Sequence, residues 1–374
     1  MAEVSNSVVH LTMRFQKIKL SIGTGVIYQH KSDYYIVTAW HNLAGRHSES
    51  LKPLSKSLAI PDNVVVNLAI SIPGSGVVRH SITIPLNDED KSLFYIHPKN
   101  WPRVDVAVIP FDPHATFLSE LHLSTGEQRD IGFSPIMKVH GSETTEICPI
   151  QKYLVPSSDV IDKWFDSVEV TQELFIPGYP RNVQDYYSQP VWKRATIASS
   201  VQQGWNREPK FLIDSASKSG MSGSPALYYS PNGSVQILGS RYQYKQDVAI
   251  LAGIYVGRLG VQGELDPQIG TVWNKSVIDE IINATCFEKL PDEIELTHDE
   301  MVENMQSILA TCSPKGLENI KNSNLPSRYY VRESLMKNIN GRASSESALE
   351  AVLNAAENYE GDLVADEVQI IEND

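Results

Sequence analysis

Cysteine is scarce: Cys148, Cys286 and Cys312 are the only three in 374 residues, and they lie far apart. An odd, scattered set does not form a disulfide framework, and without a Cys-x-x-Cys pair there is no sign of a zinc site. Long apolar runs are also missing. None approaches the ~18 residues a membrane-crossing helix needs, so no membrane partner is expected. The first residues, Met1 to Asn6, have neither the basic nor the apolar region of a secretory signal. Together these absences predict a reducing compartment, the cytoplasm. Positive charge is in deficit, with 32 Lys and Arg against 45 Asp and Glu and a net charge of −13. A nucleic-acid backbone is therefore not an expected direct partner.

The negative charge is concentrated at one end. Residues 291–374 hold 17 acidic and 6 basic side chains, which leaves the first 290 residues close to balance. Such a break predicts two parts with different roles. The first part consists of short β-prone runs separated by Gly, Pro, Asn and Asp. They fall at 8–13, 18–22, 26–28, 34–38, 64–72, 77–85, 93–97 and 106–110. After a less readable stretch they resume at 173–176, 191–199, 210–214, 226–229, 235–239 and 249–258. Many short strands joined by tight turns predict an all-β barrel or sandwich. Asn232-Gly233 predicts a hairpin that returns 226–229 along 235–239. Within 112–170 the segment 117–123 reads as a short helix or a loop, and 136–139, 150–155 and 167–170 read as strands. Residues 272–284 have helical spacing.

One stretch stands apart from this background: Gly220-Met221-Ser222-Gly223-Ser224-Pro225. Glycines on both sides of a serine allow a tight turn that presents one hydroxyl. The N–H groups of Gly220 and Ser222 are then free to face a bound oxyanion. A serine hydroxyl needs a base to take its proton and a third group to orient that base. His41 sits where the strand at 34–38 ends. Asp105 is bracketed by apolar residues, a costly place for a carboxylate without a partner.

Thr38-Ala39-Trp40-His41, Asp105-Val106-Ala107-Val108 and Gly220–Pro225 resemble the three signature segments of trypsin-like, chymotrypsin-fold serine proteases, in that family's order. Subtilisin-like and α/β-hydrolase enzymes use other orders. The resemblance covers residues 8–290 and extends in layout to intracellular bacterial trypsin-like peptidases with a C-terminal helical extension. It implies a mainly β fold of two six-stranded antiparallel barrels with the catalytic groups between them. It implies His41 as general base, Asp105 as its orienter, Ser222 as nucleophile, and the N–H groups of Gly220 and Ser222 as the oxyanion hole. No cofactor and no metal is implied. The substrate would be a protein or peptide paired along the strand at 249–258. Ala216, Ser217, Tyr255, Gly257 and Arg258 are the implied walls of the S1 pocket. Ala216 stands where trypsin has an acidic residue, which argues against a Lys or Arg preference. Met221 stands where zymogens of the family have the Asp that pairs with a new N-terminus. N-terminal trimming is therefore not expected to be required: the chain is either constitutively competent or, the favoured expectation, controlled by the loop around 217–221 or by a partner.

Beyond the protease-like domain, 1–290, periodicity becomes helical. Segments 301–311, 314–321, 327–338 and 345–359 predict a small helical domain over 291–360, followed by an acidic tail, 361–374. With no nucleophile, metal set or phosphate loop, 291–374 reads either as a structural extension or as a module that binds a regulatory protein partner. Protease-plus-helical layouts resemble bacterial conflict and defence proteins, which makes regulated proteolysis in antiviral defence the matching expectation. The competing expectation is a protease-fold scaffold that acts through its C-terminal helices.

Overall fold

Strands dominate the residues described by the computed structural model, which are 3–48, 54, 60–88, 91–99, 104–122, 128–139, 143–215, 218–258 and 268–288. The helices and acidic tail expected over 291–374 lie outside them. In the first half the elements are β1 (Val8–Phe15), β2 (Ile18–His30), β3 (Asp33–Thr38), α1 (Trp40–Ala44), β4 (Asn63–Ile72) and β5 (Gly76–Pro85). They continue as a small hairpin of β6 (Asn87–Asp88) and β7 (Lys91–Ser92), then β8 (Tyr95–Ile96), β9 (Ala107–Phe111), β10 (Phe117–His122), β11 (Gln128–Phe133) and β12 (Glu146–Ile147). After α2 (Ser158–Ser167) come β13 (Glu173–Gly178), β14 (Val191–Ile197), β15 (Lys210–Asp214), β16 (Ser224–Ser230), β17 (Ser234–Ile237), β18 (Ser240–Gln243), β19 (Val248–Arg258) and β20 (Ile269–Asn274). The described residues end with α3 (Ser276–Ala284) and β21 (Cys286–Phe287).

The second half closes as expected into a six-stranded barrel, β13-β14-β15-β20-β19-β16. The first half differs from the expected second barrel. Its strands form one eleven-stranded antiparallel sheet in the order β11-β10-β5-β4-β1-β2-β3-β9-β8-β21, with β12 attached to β4. Strands far apart in that order share one core that includes Val9, Ile36, Val66, Ile82, Ile96 and Ile109, so the sheet curls around it. The sheet does not close on itself: β5 pairs onward with β10 and β8 pairs onward with β21, and between β5 and β8 Leu93 N–H donates to the Leu86 carbonyl (2.8 Å).

Strands at the centre of the molecule bury both faces. On β2, β3 and β9 one face supplies Ile27, Ile36 and Ile109 to the curled-sheet core. The other face supplies Val26, Val37 and Val108 to a second core shared with the barrel and α3. The sequence there accordingly reads as unbroken apolar runs instead of alternating ones.

Several local expectations give way to tertiary context. Residues 117–122 form β10, paired with β11 at the sheet edge, and neither a helix nor a loop. Residues 150–153 make a 3₁₀ turn, and Ser167 closes α2. That helix starts where the Ser157 hydroxyl accepts from Val160 N–H, and it buries Val160 and Trp164 four residues apart. Ile269–Asn274 is a strand, so the helical spacing read from 272 is realised only from Ser276. Asn232-Gly233 does turn the chain, but β16 pairs with β13 and β19, while β17 pairs with β18. None of the described helices is long and apolar enough to cross a membrane.

Candidate active site

The pairing of β3 with β9 sets Thr38 opposite Ala107, which brings the residues after β3 alongside those before β9. His41 lies in the single turn of α1, closed by Gly45, whose N–H donates to the His41 carbonyl from φ 63°. Asp105 holds this turn at several points. Its carbonyl accepts from Trp40 N–H (3.2 Å). Its Oδ1 accepts from His41 N–H (3.0 Å), and Oδ2 lies 2.9 Å from His41 Nδ1. The carboxylate thus accepts a hydrogen bond from Nδ1–H, which leaves Nε2 unprotonated in the neutral ring. Burial alone drives the imidazole pKa down. The Asp105 charge and hydrogen bond together outweigh it, so the pKa lies above its ordinary value.

Ser222 comes from the other half, in the turn that enters β16. Gly223 N–H donates to the Tyr255 carbonyl (2.7 Å) and Ser224 N–H to the Met221 carbonyl (3.0 Å). Met221 is fully buried and belongs to the barrel core, so the residue that cannot form an ion pair anchors the turn by packing. Neither Gly220 N–H nor Ser222 N–H donates to an acceptor among the described residues. The carbonyl just before them, Ser219 O, is occupied by Arg181 N–H (2.7 Å) and does not bond to Ser222 N–H. The Ser222 hydroxyl donates to the Val256 carbonyl (3.0 Å); His41 is not its partner here. Ser222, Gly220 and His41 all line one cavity of about 200 Å³, walled further by Leu20, Ile22, Leu54 and Pro61.

Two residues not picked out from the sequence tie the halves together at this point. Thr24, fully buried, donates its hydroxyl to the Gly220 carbonyl (2.8 Å) and accepts from Tyr179 N–H (3.2 Å). Asn42 donates its amide to the Ser222 carbonyl (2.9 Å) and to the Thr38 hydroxyl (3.0 Å). A polar residue inside Gly23-Thr24-Gly25 was the one available sequence signal for the first. Thr24→Val keeps the shape but strands a buried carbonyl and a buried N–H. It is expected to cost about 1–3 kcal/mol in denaturant unfolding, and a stability equal to wild type would show that these bonds carry nothing.

Of the implied S1 residues, Ala216 and Ser217 lie outside the described residues. Tyr255 is 2% exposed and packs in the barrel core against Gly270. Gly257 and Arg258 are on β19 at its open end, with Gly257 at φ 148°. His41, Asp105, Ser222 and Gly220 are brought together.

In sequence, no family model and no curated protein matches the chain. Among solved structures it is similar to the Rv3671c protease of M. tuberculosis. With the inactive form it shares 14% identity, covering 76% of this chain and 90% of that one at a TM-score of 0.32. With the active form the values are 14%, 75%, 82% and 0.33. It is also similar to the serine endoprotease from Yersinia pestis, at 14% identity over 75% of this chain and 62% of that one, with a TM-score of 0.36. Similarity this low adds nothing to the geometry of the site.

Proposed function

We propose that the chain is a serine endopeptidase with His41, Asp105 and Ser222 as its triad. The observation that carries this reading is the Asp105 carboxylate on His41 Nδ1, with His41 lining the same cavity as a serine whose own N–H and that of Gly220 are unengaged among the described residues. In the reaction the Ser222 hydroxyl leaves the Val256 carbonyl by rotation about its Cα–Cβ bond and donates to Nε2. Its oxygen then attacks the carbonyl carbon of the scissile bond as Nε2 takes the proton. The resulting oxyanion is received by the N–H groups of Gly220 and Ser222. Nε2–H next protonates the leaving amine as the C–N bond breaks. Water repeats the sequence on the acyl-enzyme and frees Ser222.

Leu20, Ile22, Leu54 and Pro61 favour an apolar substrate side chain in the cavity beside the scissile bond. The hydroxyl parked on Val256 favours a chain that rests until a partner engages it, and the acidic segment 291–374 is the part assigned to that partner.

Ser222→Ala is expected to abolish labelling by a fluorophosphonate probe and hydrolysis of protein substrates, while the circular dichroism spectrum and melting temperature stay as in wild type. Labelling that persists in the variant overturns the assignment.

A further inference from the structure

The residues just after α3 do more than close the fold. β21 adds to the edge of the curled sheet, with Cys286 opposite Ile96 and Phe287 opposite Tyr95. β8 in turn pairs with β9, which begins two residues after Asp105. At the next position Glu288 N–H donates to the Phe94 carbonyl (3.0 Å). The Glu288 carboxylate is buried, and Oε2 accepts from the Trp40 indole N–H. Trp40 immediately precedes His41, is itself fully buried, and has the Arg46 guanidinium 5.5 Å from its ring centroid.

A carboxylate is expensive to take out of water and repays that cost only through strong, well-placed hydrogen bonds. α1 is only five residues long. One helical turn does not hold itself, so its position depends on what grips its side chains. Trp40 is the largest of them, and Glu288 grips it from the point where the chain leaves the sheet toward its acidic end.

We propose that Glu288 is a positioning residue for His41. It holds the Trp40 indole, and through it the turn that carries the imidazole. Glu288 thereby acts on proton transfer and not on substrate binding. This rests on the endopeptidase reading above.

The test uses the full chain and three single substitutions. Glu288→Ala removes the acceptor, Glu288→Gln keeps a carbonyl oxygen in its place, and Trp40→Phe keeps the ring without the donor. Glu288→Ala is expected to lower kcat about tenfold with KM unchanged, and Glu288→Gln to restore most of it. Trp40→Phe should match Glu288→Ala, and the double variant should be no slower than either single change. Unchanged kcat, an effect confined to KM, or multiplying effects in the double variant each overturn the proposal. If Glu288→Ala does not fold, Trp40→Phe and Glu288→Gln decide it: a Trp40→Phe chain with wild-type kcat rejects the idea. Failure of the endopeptidase reading would look different, as a wild-type chain with neither probe labelling nor hydrolysis. The coupling is then read from amide hydrogen exchange over Trp40–Ala44. Exchange should speed up in Trp40→Phe and stay near wild type in Glu288→Gln, and unchanged exchange in Trp40→Phe rejects it.

Discussion

Asp105→Asn is expected to lower kcat roughly ten-thousand-fold while leaving the fold and KM close to wild type. The reason lies in which oxygen does what. Oδ1 accepts from the His41 backbone N–H at 3.0 Å and lies 3.1 Å from Nδ1, while Oδ2 is the nearer oxygen to Nδ1 at 2.9 Å. Asparagine has one carbonyl oxygen and one amino group. The backbone N–H can only be met by the oxygen, so the amino group is turned toward Nδ1. Nδ1 must then accept, which moves the ring proton to Nε2, and a protonated Nε2 cannot take the Ser222 proton. The same substitution removes the charge that raises the imidazole pKa and leaves burial, which lowers it. The acid limb of the residual kcat/KM profile should therefore move to lower pH than the wild-type limb, which lies above the ordinary histidine value. The stability effect has a definite sign. Because the folded pKa is raised, the ion-pair contribution is complete below the unfolded value and lost as pH rises through the folded one. Asp105→Asn should thus cost more stability in mild acid than in the neutral-to-alkaline range. A fall in kcat of less than about tenfold would remove Asp105 from the mechanism.

The parts of the site that the sequence discloses are those with strong local signals. His41 and Asp105 lie next to apolar strands, and Ser222 lies between glycines, so each is visible without knowledge of its neighbours. Thr24 and Asn42 are not, because what they bond lies 196 and 180 residues away. Distance along the chain also hides the topology. The Asn232-Gly233 turn is local and present, but the partners of β16 are set by barrel closure. Likewise, nothing near residues 93–97 shows that β21 will pair with β8. The helix α2 is a different case. Ser157, Val160 and Trp164 carry a cap and a helical spacing that were there to be read, and the polar residues between them obscured it. Strand β10 is hidden for the opposite reason, since Ser119, Glu120 and His122 break the β-prone pattern while pairing with β11 and β5 supplies the order.

Gly223→Ala is expected to be the most damaging single methyl group in the described chain. A Cβ at this position would sit 1.9 Å from the Thr24 carbonyl oxygen, 2.3 Å from the Thr38 hydroxyl and 3.0 Å from Ala39 N, at φ 92°. None of these neighbours is the loose end of a flexible side chain. Thr24 and Thr38 are fully buried, and the Thr38 hydroxyl is fixed by donating to Thr24 O (2.7 Å) and accepting from Asn42 (3.0 Å). Relief requires the Ser222 turn to move away from the curled sheet. That movement breaks the two bonds that reach the Ser222 carbonyl from the curled-sheet half, from Thr24 N–H (2.9 Å) and from the Asn42 amide (2.9 Å). Backbone strain, a steric overlap and two buried hydrogen bonds together amount to about 4 kcal/mol or more, against a total stability of roughly 5–15 kcal/mol for a typical domain. Gly74→Ala separates the causes, because Gly74 also has positive φ (71°) but nothing within 4 Å of its Cβ position. It should cost only about 1 kcal/mol of backbone strain. Denaturant unfolding of the two variants beside wild type decides the point. Equal losses would mean that strain alone acts at Gly223 and that the two halves do not meet there as closely as these distances require. A much larger loss at Gly223, with the Ser222→Ala chain as stable as wild type, would show that the nucleophile turn is also the joint between the halves.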